Sequence, residues 1–385
     1  MRAGVFLYPW DVDGDPAAPG RLAALARLGV TQVTLAAAYH STRALSPRHP
    51  AHRIVTAEHA AVLYPPDPAR WAGRALRPYP AGQWAPGDAY GRAAEALDGT
   101  GLDVHSWVVL AHNSRLGAEH PETSVVNAYG DRYPWAPCVA RPDVRALLVG
   151  LAAEAAVRPG AAGTELESCG WYGFAHLHAH DKTSGVPLGE REQYLMSLCF
   201  CPSCREGYGN AGADPDALAA AVRAALAPVW AGSGPAGGLG ALEAPARAWR
   251  AGAARSFQDE AVAAVRAAAP PGFRVLLHAD PDPYRCGADA GTDPAHVLGL
   301  ADGVVARPPK VAAFAARARP GTVVAANLSV VTGMGGAPAR LARDAVAARA
   351  AGATELRLYH AGLASDTDLE TVRGELRALA ALGGV

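Results

Sequence analysis

Ala351-Gly352-Ala353-Thr354-Glu355-Leu356-Arg357-Leu358-Tyr359-His360 is a complete joint between a helix and a strand, and the chain repeats it from end to end. The helix-forming stretch Ala337–Ala351 stops at Gly352, because glycine accepts the left-handed conformation that closes a helix C-terminus. From Glu355 onward apolar and polar residues alternate, the period of a strand. Leu28-Gly29-Val30 is the same joint near the other end of the chain. Runs of this kind predict eight strands, at Gly4–Trp10, Gln32–His40, Val104–His112, Thr164–Glu167, Phe273–Asp280, Gly303–Arg307, Thr322–Asn327 and Glu355–His360. Helical periods follow most of them, at Pro19–Leu28, Pro142–Ala156, Asp216–Leu226, Ala244–Ala268, Ala337–Ala351 and Asp366–Leu382. Eight successive βα units close most simply into a single (β/α)8 TIM barrel, an α/β fold that takes residues 1–385 as one domain.

Two long insertions interrupt the period: residues 41–91 after the second strand and residues 168–243 after the fourth. Both follow strand C-termini, the end of a barrel where binding groups collect, so they read as walls of a site on that face. Within the second, Gly232–Gly240 is rich in Gly, Pro and Ser and reads as a flexible connection.

Composition narrows the partners. Half of the 385 residues are apolar, ample for a large core. A net charge of −1, from 35 basic and 36 acidic residues without a basic block, argues against nucleic acid or an anionic membrane as the main partner. The first strand begins almost at Met1 and no apolar run approaches a bilayer span, so the expectation is a cytoplasmic protein with a small-molecule substrate, and a homo-oligomer stays open.

A barrel gathers its strand ends into one bowl. Those ends offer Tyr8 and Trp10, Tyr39 and His40, His112 and Asn113, Glu165 and Glu167 followed by Trp171 and Tyr172, His278 and Asp280, Arg307, Asn327, and Tyr359 with His360. Glu165-Leu166-Glu167 sets two carboxylates on one side of a strand. A carboxylate crowded by another and by Trp171 or Tyr172 holds its proton longer, which suits a general acid. Glu167, nearer the rim, is the expected acid; Glu165 is equally suited to an ion pair with Arg307 or Arg274. Asp280 is the candidate second carboxylate, although Asp280-Pro281-Asp282-Pro283 also reads as a turn. Tyr8, Trp10, His40, His112, Asn113, Trp171, His278, Arg307, Asn327 and His360 are the expected substrate-binding groups. Trp84, Trp107 and Trp135 are further aromatic candidates for stacking. His176-Leu177-His178-Ala179-His180-Asp181 is a rival signal, a set of ligands for a catalytic metal in a hydrolase or lyase.

Cys199-Phe200-Cys201-Pro202-Ser203-Cys204 places three thiols within six residues. That spacing suits tetrahedral Zn²⁺, which needs a fourth ligand, and Cys138 and Cys169 are available. Cys138 is favoured because it precedes a helix outside the barrel wall, whereas Cys169 follows a strand end.

The segment running from His120-Pro121-Glu122 through Asn127-Ala128-Tyr129-Gly130, Cys138 and Arg141-Pro142-Asp143-Val144-Arg145 to the cysteine tract resembles glycoside hydrolases, in particular the family 42 β-galactosidases. The resemblance covers roughly residues 104–209, and the cysteine spacing is its specific part. It implies a structural zinc held by Cys138, Cys199, Cys201 and Cys204, and a carbohydrate or glycoside as substrate. That family carries an Asn-Glu pair ending strand four and a Glu nucleophile ending strand seven. Here strand four ends Glu165-Leu166-Glu167-Ser168 and strand seven ends Asn327-Leu328-Ser329. Two placements of the chemistry follow: Glu167 with Asp280, or Glu165 and Glu167 with a substrate group as internal nucleophile, similar to chitinase-type barrels. A carbohydrate-binding barrel without catalysis is the alternative.

Overall fold

The computed structural model describes residues 1–177 and 181–382. Eight parallel strands form a closed barrel: β1 (Arg2–Leu7), β2 (Val30–Tyr39), β3 (Asp103–Val109), β4 (Ala161–Glu167), β5 (Arg274–His278), β6 (Gly303–Ala306), β7 (Val323–Ser329) and β8 (Glu355–Tyr359). Closure is made at β1, where Val5 is in register with Val33 of β2 on one side and Leu358 of β8 on the other. An outer-ring helix follows each strand, with further short helices in the insertions: α1 (Ala18–Ala26), α2 (Ala89–Leu97), α3 (Pro142–Ala156), α4 (Glu243–Ala268), α5 (Pro294–Leu300), α6 (Val311–Ala315), α7 (Leu341–Ala350) and α8 (Asp366–Ala381). None of the described helices is long and apolar enough to cross a membrane.

The local chemistry explains these boundaries. Asp88, Asp293 and Ser365 cap α2, α5 and α8, each side chain accepting a backbone N–H of the first turn. Gly352, ahead of β8, has φ 97°, and a Cβ there would lie 2.4 Å from that of Ala315. Conformation and space both demand glycine.

The strand period divides side chains between two environments. Val5, Leu7, Val33, Leu35, Val275 and Leu277 are buried in the main core, which also takes residues of α1 to α8. The opposite set fills the barrel. Its floor is polar: Arg357, Glu165, Glu355, Gln32 and His105 are all buried. Glycines make room for this layer, since a Cβ on Gly4 would sit 3.1 Å from Arg357 Cδ and one on Gly163 only 2.6 Å from His105 Cε1.

The insertions are built differently from one another. Residues 41–91 form a hairpin, Thr42–Leu45 against Ile54–Ala57, and a short strand, Ala61–Val62, antiparallel to β2. The segment after β4 carries helices Glu190–Met196, Pro202–Asn210 and Pro215–Trp230. A third excursion, which the strand period did not announce, follows β3 as the hairpin Ser124–Val126 with Arg132–Pro137. This hairpin and the three helices share a second hydrophobic core that includes Val125, Tyr133, Tyr194, Leu198, Tyr208 and Leu226.

Candidate active site

A cavity of about 940 Å³ opens at the C-terminal ends of the strands. Of the expected residues, Tyr8, His40, His112, Glu167, His278 and Asn327 line it. Tyr39, Trp107, Tyr172, Tyr359, His176 and Asp289 line it as well.

Glu167 ends β4 at the cavity floor. Its Oε2 accepts a hydrogen bond from Trp107 Nε1 at 2.7 Å and lies 3.9 Å from His278 Nδ1. Burial raises its pKa above the usual carboxylate range, and the like charge of Asp289 adds to this against the opposing pull of His278 and Trp107. Glu165 behaves oppositely, although it is the more deeply buried. The penalty of burial is outweighed by Arg357, whose Nε donates to Oε1 at 2.5 Å, so the carboxyl stays well below its usual range. His278 stands between the two glutamates, with Nε2 3.5 Å from Glu165 Oε2. Burial alone would lower its pKa, but the two carboxylates raise it.

Aromatic rings complete the floor. The hydroxyl of Tyr8 donates to that of Tyr39 at 3.1 Å. Burial lifts the pKa of Tyr8, Tyr39 and Tyr359, and Glu167 nearby reinforces this, so the three phenols stay neutral donors. His112 stacks on Tyr172 with centroids 4.0 Å apart.

Several expected site residues lie elsewhere. Asp280 is fully buried, and its Oδ2 accepts from Arg307 at 2.6 Å while Lys310 Nζ approaches Oδ1 at 3.4 Å. It also accepts the backbone N–H of Asp282, the turn role open to it in the sequence. It does not line the cavity that Glu167 lines, and Arg307 pairs with it. Glu165 is likewise a floor residue without access to the cavity, paired with Arg357 rather than with Arg307 or Arg274. β1 ends at Leu7 and Trp10 enters a short 3-10 turn, where it stacks behind Tyr8 at 4.6 Å. Asn113 caps the helix Ser114–Glu119 through the N–H of Leu116. Trp171 donates to Arg285 O, carries Arg250 over its ring at 4.2 Å and faces a separate cavity. His360 is fully buried, and burial pushes its pKa down to about 3.

Asp289 carried no sequence signal. It sits in Gly287-Ala288-Asp289-Ala290, beyond the strand end and outside any motif. Trp107 was recognised only as one of many aromatics.

The four sulfurs of Cys138, Cys199, Cys201 and Cys204 lie within 4.8 Å of one another, all buried. Cys138 Sγ is 3.6 Å from that of Cys204 and 3.7 Å from that of Cys201. A tetrahedral ion with bonds of about 2.3 Å spaces its ligands at roughly 3.8 Å, so the donor set and its geometry fit a metal such as zinc. Cys169 is not a member of the cluster. Of the rival histidine set, His176 lines the main cavity and hydrogen-bonds Tyr172 at 3.1 Å, while His178 and His180 lie outside the described residues.

No protein-family model and no curated protein matches the chain by sequence. Solved structures match it by fold, and they include glycoside hydrolases. The PgaB (BpsB) glycoside hydrolase domain from Bordetella bronchiseptica aligns with a TM-score of 0.60 at 16% identity, over 98% of this chain and 99% of that domain. α-L-Fucosidase isoenzyme 2 from Paenibacillus thiaminolyticus aligns at 0.59 and 15% over the whole chain, which spans 50% of that enzyme's length. The β-galactosidase of Marinomonas ef1 aligns at 0.57 and 10%, with 60% of its length covered. At these identities the likeness is one of fold: this chain is a (β/α)8 barrel of the kind glycoside hydrolases use.

Proposed function

We propose that the barrel hydrolyses a glycoside in the cavity at its strand ends, with Glu167 as general acid and Asp289 as the second carboxylate. The observation that carries this reading is the environment of Glu167. It is a carboxyl whose pKa burial raises, anchored by Trp107 and facing an aromatic-lined cavity that contains another carboxylate. Glu167 would protonate the departing glycosidic oxygen. Asp289 would activate water or attack the anomeric carbon. The neutral phenols of Tyr8, Tyr39 and Tyr359, with Asn327, supply hydrogen bonds to sugar hydroxyls, and Trp107 and Tyr172 supply stacking faces.

The four-cysteine cluster lies in the second core, apart from this cavity, and we assign it a structural Zn²⁺. Six cysteines without a disulfide fit a reducing, cytoplasmic setting.

A panel of activated aryl glycosides tests the reading. Glu167→Gln is expected to lower kcat by at least about 10²-fold while sugar affinity and folding persist. Asp289→Asn should also depress turnover. Sugar binding without hydrolysis by the wild-type protein at any pH would leave a carbohydrate-binding barrel; full turnover in Glu167→Gln would remove this residue from the chemistry.

A further inference from the structure

Behind Glu167 a line of charges runs down to the barrel floor. Arg357 holds Glu165 Oε1 at 2.5 Å and Glu355 Oε2 at 2.9 Å, and Gln32 Nε2 donates to the same Glu165 oxygen at 2.9 Å. The other oxygen of Glu165 faces His278 Nε2 at 3.5 Å, and neither atom has a hydrogen-bond partner within the described residues. The second ring nitrogen, Nδ1, faces Glu167 Oε2 at 3.9 Å. Phe6 and Trp107 confine the ring, with centroids 5.8 and 6.5 Å away. An imidazole with a carboxylate oxygen at each nitrogen is satisfied as the doubly protonated cation, whereas a neutral ring sets one lone pair against an anion. The charges that act on the ring are Glu165 and Glu167 from β4 and Asp289 from the loop after β5, all of one sign.

We propose that Glu165 is a positioning residue that acts through His278 on the acid: anchored by Arg357, it holds the ring so that its positive charge faces the carboxylate that Glu167 becomes. The proposal rests on the reading of Glu167 as general acid. In the bond-breaking step the Glu167 O–H bond breaks and its proton joins the glycosidic oxygen. That oxygen takes the electron pair of the C–O bond as it leaves, and the anomeric carbon bonds to a carboxylate oxygen of Asp289 or to a water whose proton passes to Asp289. The negative charge left on Glu167 then meets the Nδ1–H of His278, a preorganised dipole that needs no rearrangement. The sequence shows the two glutamates, but their roles are split by Arg357, which lies 192 residues from Glu165.

Titration of the full-length protein with labelled histidine rings, His278 being assigned by its loss in His278→Gln, gives the first readout. The wild-type ring is expected to titrate above the ordinary value of about 6.5, and Glu165→Gln to bring it down by about one unit or more. The second readout is the pH profile of hydrolysis. His278→Gln should lower kcat on the order of 10²-fold and move the alkaline limb to higher pH, because the Glu167 carboxylate loses its counter-charge. A wild-type ring that titrates at or below 6.5 overturns the relay, whether or not Glu165→Gln folds. An unmoved alkaline limb in His278→Gln overturns it too. Absence of any glycoside hydrolysis, with the ring titrating high, would instead strike the assignment of Glu167 as acid and take the catalytic role of the relay with it.

Discussion

At the scale of the residue, identical side chains two positions apart are driven in opposite directions. Glu165 and Glu167 share a face of β4, yet one meets a guanidinium and the other an indole N–H and an open cavity. The sequence points to Glu167 as the acid and leaves Glu165 open between chemistry and an ion pair. Its partner is Arg357, from the last strand. Trp107 offers a direct test. Its Nε1–H stabilises the ionised form of Glu167, so Trp107→Phe should move the alkaline limb of the activity profile upward, by up to about one unit for a hydrogen bond worth roughly 1 kcal/mol. A profile identical to that of wild type would show that this hydrogen bond does not set the acid.

At the scale of the element, the cysteine site links segments that are distant in sequence. Cys138 follows the hairpin of residues 124–137, Cys199 accepts the N–H of Val126 at 3.5 Å, and Cys201 begins the helix Pro202–Asn210. An ion there would fasten the hairpin after β3 to the helices after β4. One zinc per chain is expected by elemental analysis. Cys201→Ser, or a strong chelator, should release it and loosen the second core, seen as lost helical circular dichroism and a melting temperature lower by several degrees. Full helicity and unchanged melting in a metal-free protein would deny the ion a structural role. The sequence pointed to all four members of the cluster because local spacing carried the signal for three, and Cys138 needed only one hairpin to bring it close.

At the scale of the whole molecule, the buried ionisable groups make stability depend on pH. Burial pushes His105 down to about 4 and His360 to about 3. Each is neutral in the folded state and takes up a proton on unfolding at any pH below about 6.5, so their contributions are complete above that value and fall as pH drops toward 4. For His105 alone the loss is on the order of 3 kcal/mol. Asp11 has the opposite sign: burial raises it to about 6, and its contribution falls as pH rises from about 4 to 6. The two histidines outweigh it. Urea denaturation at pH 7 and pH 5 should therefore show the protein weaker at pH 5, and His105→Gln should flatten the difference. Equal stability at the two pH values in the wild-type protein would contradict this balance.

The sequence by itself determined the eight βα units, and it pointed to the cysteine cluster and to Glu167 at the end of a strand. These depend on periods of two and of 3.6 residues and on short spacings, which any local stretch displays. Only the tertiary structure decided that Asp280 is bound by Arg307 and Lys310, that Trp10 and His360 lie behind the cavity rather than in it, and that Asp289 enters it. Whether a polar side chain is free for chemistry depends on which charges closure of the barrel brings beside it. Arg357 reaches Glu165 only because β8 returns to β1 and completes the ring.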